Sequence, residues 1–205
     1  MLINIPQINQ SNDFGDRLNL QDQILILSGM TWDDFEQLLR EEYSGYRFSY
    51  YNGEIIIVSP GKNHERIAEI INYLIVAYCR QYNILFYPFR STTLKNHPLA
   101  AKEADVSFAF GKDKDFPDLA VEVIFSSGGV ADLQKYQALA IPEVWLWSKN
   151  LITFYQLENN SYQVIENSKY LSNIKSSQII SFINRGLTES PLTIEAEFIQ
   201  NLKQG

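Results

Sequence analysis

The stretch DLAVEVIF, residues 118–125, limits what this chain can fold into more than any other. Side chains alternate along a strand, so Leu119, Val121, Val123 and Phe125 share one face while Ala120, Glu122 and Ile124 share the other. Both faces are apolar apart from one carboxylate. A strand of that kind is covered on both sides and lies inside a sheet flanked by other layers. Glu122 is then the anomaly, because an unpaired buried carboxylate is costly. It must pair with a cation, accept several hydrogen bonds or face a cleft.

The flanking sequence supplies the covering layers. Thr31 followed by Asp33 and Asp34, with Phe35, Leu38 and Leu39 at helical spacing, predicts a capped N-terminal helix. Asn52-Gly53 between two β-rich runs is a hairpin signal. In NHERIAEIINYLIVAYCRQY, residues 63–82, the apolar positions Ile67, Ile70, Ile71, Leu74, Ile75 and Tyr78 fall on one helical face. The segments ILFYPF (84–89), EADVSFAF (103–110), EVWLWS (143–148), LITFYQL (151–157) and SYQVIE (161–166) read as strands. A helix over about 130–140 separates DLAVEVIF from EVWLWS, and Ser190-Pro191 opens a last helix. The expected architecture is α/β in the mixed, α+β sense: a central mixed sheet flanked by helices, with an N-terminal helix and a β-hairpin. Residues 1–22 are polar and aperiodic and read as an arm; residues 23–205 read as a single domain.

Composition narrows the classes. Cys79 is the single cysteine, which excludes an intrachain disulfide and leans towards a reducing compartment. The first residues carry neither a basic nor an apolar leader pattern, and no apolar run reaches the roughly 18 residues of a membrane span. A soluble cytoplasmic protein is expected. The net charge of −7 lacks the basic footprint of a passive DNA binder, yet residues 61–114 hold eight Lys/Arg against five Asp/Glu. Either that stretch makes a local basic face or its charges are scattered for solubility.

Geometry selects a partner for Glu122. Asp118 lies four residues away, about 13 Å along a strand, too far to share one Mg²⁺ with it. Asp105, on the preceding strand, can be brought beside Glu122, because neighbouring strands lie about 4.8 Å apart. Two carboxylates at about 4 Å repel by roughly 4 kcal/mol at an effective dielectric of 20, which favours a cation between them. Glu103, two residues before Asp105, falls on the same side and is a candidate outer-shell group.

The blocks SPGKNHERIAEIINYLI, STTLKN, EADVSFAFG, PDLAVEVIFSSGG and DLQKYQALAIPEVWLW occur in an order that closely resembles the Uma-type restriction endonuclease family, within the PD-(D/E)XK nuclease superfamily. The resemblance runs from about Thr31 to Leu157. It implies a restriction-endonuclease-like fold, Mg²⁺ or Mn²⁺ held by one Asp and one Glu, a lysine that activates water, DNA as substrate and a homodimer. The family aspartate falls on Asp105, preceded by Ala104 where the family has proline, and the acidic position of the core motif falls on Glu122. The lysine two residues further on in the plain superfamily motif is Ile124 here. Uma-type chains place it in the following helix, where GGVADLQKY has Asp132. Lys135 lies three residues later on the same helix face. It either reaches back as the catalytic lysine or covers the helix surface, while Asp132 is a third metal ligand or an acid favoured by the helix dipole. Glu65, beside His64 at the start of the long helix, and Glu103 are further candidates.

No Ser-His-Asp order, phosphate-cradling glycine loop or zinc-like Cys/His spacing is present. Two functions follow: a Mg²⁺-dependent endonuclease hydrolysing DNA phosphodiester bonds, or a catalytically inactive nuclease-fold module for binding or dimerisation.

Overall fold

The computed structural model describes residues 22–41, 43, 45–90, 92–125 and 129–203. The expected arm, apart from Asp22, lies outside the described residues. In chain order the elements are β1 (Gln23–Ser28), α1 (Trp32–Arg40), β2 (Arg47–Tyr51), β3 (Glu54–Ser59), α2 (Lys62–Tyr82), β4 (Phe86–Pro88), β5 (Thr93–Asn96) and β6 (Ala100–Glu103). There follow β7 (Val106–Phe110), β8 (Leu119–Ile124), α3 (Gly129–Ala138), β9 (Glu143–Ser148), β10 (Leu151–Glu158), β11 (Ser161–Ile165), α4 (Ser176–Arg185) and α5 (Pro191–Leu202). Among the described residues the strands form two sheets, in the orders β1-β3-β2-β6-β5 and β11-β10-β9-β8-β7-β4. No described helix is long and apolar enough to cross a membrane.

Local chemistry explains several boundaries. Thr31 accepts from the Asp34 amide while Asp34 accepts from the Thr31 amide, a reciprocal cap that fixes the start of α1. Asn52 (φ 50°) and Gly53 (φ 79°) both take the left-handed conformation that a two-residue hairpin between β2 and β3 demands. Asn83, also left-handed, ends α2. Gly186 follows α4 so closely over Ile70 of α2 that a side chain there would collide with it.

The six-stranded sheet is the one DLAVEVIF predicted. Strand β8 is buried along its whole length, paired antiparallel with β7 and parallel with β9. Leu119, Val121 and Val123 face α2, α4 and α5; Ala120 and Ile124 face α3, beside Leu133, Tyr136 and Leu139. Fully burying each of these aliphatic side chains contributes about 1.5–3 kcal/mol, so the strand is held from both layers.

The five-stranded sheet departs from the expected single sheet. One face of it packs Leu25, Leu27, Phe48, Tyr50, Ile55 and Ile57 against Trp32, Phe35 and Leu38 of α1. The hairpin is therefore the middle of a second sheet, extended by β1 and β5–β6. The segment EADVSFAF is not one strand either. Strand β6 ends in the five-stranded sheet at Glu103, β7 begins in the other at Val106, and Ala104-Asp105 cross between them. This crossing sets the location of the site.

Candidate active site

The pairs Val106↔Val121, Ser107↔Ala120 and Phe108↔Leu119 define an antiparallel register. Continued by one step, it sets Asp105 across from Glu122. The pairing expected from the sequence is therefore present, with Asp105 on the inter-sheet crossing instead of within a strand. Its Oδ2 accepts from the Val123 amide at 2.7 Å, which ties it directly to β8.

Each carboxylate is enclosed by cations and donors from distant parts of the chain. Arg47 of β2 pairs with Asp105 Oδ1. His64, in the first turn of α2, places Nε2 3.0 Å from Asp105 Oδ2 and Nδ1 3.0 Å from Asp22 Oδ2. Asp22 also accepts from the Gly61 amide at 2.8 Å, which anchors the start of the described chain to that of α2. On the other carboxylate, Lys102 Nζ of β6 lies 3.0 Å from Glu122 Oε2, and the Tyr136 hydroxyl donates to Oε1. Lys102 also lies 3.8 Å from Asp132 Oδ1, which Lys135 contacts at 2.7 Å. Glu122, Lys102, Lys135 and His64 are all buried.

These contacts set the protonation of the cluster. Burial pushes the Glu122 carboxyl up to about 7, against the pull of Lys102. Burial opposes charge on Asp105 too, but the His64 hydrogen bond and Arg47 hold it below the usual carboxylate range. Burial would lower His64, yet its hydrogen bonds to Asp105 and Asp22 raise it to about 9, which favours a protonated ring between the two carboxylates, while Arg47 Nη1, 2.8 Å from the same Nε2, opposes it. Lys102 is desolvated but raised by Glu122 and Asp132, and stays an ammonium. Lys135 moves the other way, lowered first by burial and then by the charge of Lys102. Asp132 is held low by both lysines against its own burial.

Two clefts meet at Asp105 and Arg47. One, with about 730 Å³ of empty space open to solvent, is lined by Asp22, His64, Lys102, Glu122, Asp132 and Lys135. The other, about 600 Å³, is lined by Glu65, Glu69, Asn72 and Arg90. Of the sequence candidates, Asp105, Glu122, Asp132 and Lys135 thus converge on one cleft. Glu65 lies on the neighbouring one, exposed and bound to Arg47 at 2.8 Å. Glu103 does not join them, because the break in β6–β7 cancels the alternation that put it beside Asp105; it accepts from Thr93 at 2.8 Å. Asp22, Arg47 and Tyr136 carry no local signal that marks them for the site. Lys102 had one weak signal, a lysine sharing a strand face with the fully buried Ala100. Within the stretch 61–114, Arg80, Lys95 and Lys114 are paired with Glu195, Glu36 and Asp118 and do not add free positive charge to a face.

No group of three or more His, Cys, Asp or Glu among the described residues is gathered as a metal shell. Two hard carboxylates nevertheless fit Mg²⁺ or Mn²⁺, since Mg²⁺ is commonly held by one or two carboxylates with waters and substrate phosphates completing its coordination. The ammonium of Lys102 already rests on one of them.

Among the described residues the two sheets with their five helices make a mixed α+β fold, and Glu122 on its central strand lies opposite Asp105 at the crossing between the sheets. The Uma2 family model, described as "Putative restriction endonuclease", matches residues 32–188, and the chain belongs to that family. A crystal structure from Anabaena variabilis, described as a "putative nuclease belonging to DUF820", superimposes with a TM-score of 0.54. It is 14% identical, over 75% of this chain and 99% of that one, a likeness of fold. No curated protein matches this chain.

Proposed function

We propose that this chain is a divalent-metal-dependent endonuclease that hydrolyses DNA phosphodiester bonds in the cleft between the two sheets. The observation that supports this best is the pair Asp105 and Glu122, one step beyond the last β7–β8 pair, met by the half-buried Arg47 and the buried Lys102. In this reading the two carboxylates hold Mg²⁺ or Mn²⁺. The ion when bound lowers the pKa of a coordinated water and offsets charge on the phosphate.

The side chains divide the remaining work. Asp105 is kept ionised by His64 and Arg47, so it is a ready oxygen donor at neutral pH. Glu122 is held in place by Lys102 and Tyr136. Lys102, a permanent ammonium at Glu122, serves to stabilise negative charge on the phosphate and to orient the attacking water. Lys135, expected from sequence as the catalytic lysine, contacts Asp132 instead. Its lowered pKa suits it to exchange a proton with water in the cleft. Asp132 stands where the family has lysine and links the two ammonium groups. In this reading Lys102 on β6 takes the place of the family lysine on α3.

The test is cleavage of supercoiled plasmid and labelled oligonucleotides with Mg²⁺ or Mn²⁺ by the wild type and Glu122→Gln. Metal-dependent cleavage that the variant loses supports the reading. Absence of cleavage on DNA with either metal overturns it in favour of an inactive nuclease-fold binding or dimerisation module. The internal neutralisation of both carboxylates is the observation that favours that alternative.

A further inference from the structure

The face of the five-stranded sheet turned away from α1 carries two rows across neighbouring strands. Ile26 pairs with Ile56, Ile56 with Ser49 and Ser49 with Lys102. One step along, Ile24 pairs with Val58 and Val58 with Arg47. Both rows run from aliphatic side chains at the sheet edge to a cation of the active site. All seven residues line the same cleft. At the outer end Ile24 and Ile26 are 42% and 54% exposed and belong to none of the apolar clusters of the described residues. An exposed aliphatic surface continuous with a charged catalytic cluster suits a ligand that is itself half charged and half apolar.

We infer that this aliphatic floor is a subsite for the base of an unpaired nucleotide whose phosphate lies at the Arg47–Lys102 end of the rows. The inference rests on the nuclease reading in that it brings phosphates into the cleft. Adjacent strands are about 4.8 Å apart, so Arg47 to Ile24 spans about 10 Å and Lys102 to Ile26 about 14 Å. A phosphate at the cationic end therefore leaves its sugar and base over Val58 and Ile56, and the next base over Ile24 and Ile26. Bases offer a flat, poorly hydrated face to apolar side chains when they are unstacked. A paired duplex keeps those faces inside and would bring sugar–phosphate against the aliphatic wall, where desolvation opposes it.

Charge points the same way. Duplex affinity grows with the number of phosphates neutralised. Here Arg47, Lys102 and Lys135 are already matched with Asp105, Glu122 and Asp132, and the chain carries a net −7. The cleft thus offers a strand two partly matched cations at one place, enough to seat one phosphate but short of the many phosphate contacts of a duplex backbone. The floor supplies the missing attraction only to a strand that exposes its bases.

The test uses the full chain and fluorescence anisotropy without divalent ions, so that binding is read independently of cleavage. The probes are a labelled single-stranded oligonucleotide, the same strand with abasic positions, and its blunt duplex. The base-bearing single strand is expected to bind at least about tenfold more tightly than either of the others. Ile24→Ser/Ile26→Ser should remove most of that preference and leave duplex binding unchanged. Ile26→Trp, a larger stacking surface, should strengthen it, and stands if the double serine variant fails to fold. Equal binding of the abasic and base-bearing strands overturns the subsite, as does an unchanged preference in both variants. A dimer-to-monomer shift of the double variant in light scattering also overturns it, by assigning the floor to a second copy. Metal-dependent cleavage without base preference would sink the subsite alone; no binding and no cleavage of any probe would sink the nuclease reading as well.

Discussion

Two buried glutamates stand on adjacent strands of the six-stranded sheet, Glu122 on β8 and Glu143 at the start of β9, and their surroundings differ in kind. Glu143 is fully buried, yet the Trp145 indole donates to Oε1 at 2.7 Å and the Lys169 amide to Oε2 at 2.8 Å. Its donors are neutral, and they tie the segment after β11 to the sheet. Glu122 has an ammonium and a phenol, a second carboxylate across the register and a third beyond Lys102. Burial raises the pKa of both. A buried acid in a strand is thus no signature of chemistry by itself; the signature is a cluster of opposite charges opening on a cleft.

The largest expected contrast is in activity. Glu122→Gln should lower metal-dependent cleavage at least about a thousandfold, within the range for removing an essential charged group. Glu143→Gln should leave the rate within a few-fold and lower stability by about 1–3 kcal/mol, the cost of misaligning a buried hydrogen-bonded acceptor. Cleavage assays and urea titrations separate the two, and equal loss of activity in both variants would erase the distinction.

Next in size is the Lys102–Glu122 pair. Removing one partner strands the other charge in the interior, so Lys102→Met should cost about 3–5 kcal/mol in urea unfolding. Lys102→Met/Glu122→Gln should recover much of that loss, and Lys135→Met should cost less than Lys102→Met because Asp132 keeps Lys102 nearby. Strict additivity in the double variant would show that the pair is not coupled.

The third effect is on pH. His64 is raised from an ordinary value near 6.5 to about 9, so its stabilisation is full below about pH 6.5 and is lost as pH rises through 9. Each pKa unit corresponds to about 1.4 kcal/mol, giving a decline of about 3 kcal/mol across that window. Glu122, raised to about 7, has the same sign at lower pH: its contribution is full below about 4.5 and lost through 7. Unfolding midpoints measured from pH 5 to 9.5 should fall steadily. His64→Gln should flatten the upper part, whereas Glu143→Gln should leave that part unchanged.

The smallest expected change tests Asp132. Asp132→Asn removes the link between Lys102 and Lys135 and leaves two ammonium groups repelling. Cleavage should fall by about tenfold, with the Lys135 pKa pushed lower still; a tenfold gain would instead mark Asp132 as the residue that suppresses activity.

The placement of Glu122 on a central strand and of Asp105 across from it was legible from alternation and the distance between adjacent strands, but not that Asp105 sits on a crossing between sheets. The long helix, the Asn52-Gly53 turn, the Thr31 cap and the Ser190-Pro191 helix start were legible for the same local reasons. Strands β1 and β5 and helix α4 were not, since short segments such as QILILS gain their structure from pairing and burial against distant partners. The crossing at Ala104-Asp105 was hidden inside an apolar run that reads equally well as one strand.

Alternation and desolvation act on neighbours along the chain, so the residues alone require one central strand covered on both faces with a carboxylate that must be compensated. What compensates Glu122 and its neighbour Asp105 is a matter of long-range contacts. Lys102, Tyr136, Arg47, His64 and Asp22 come from five separate segments, and the register between strands of two sheets, a long-range property, is what brings their charges together.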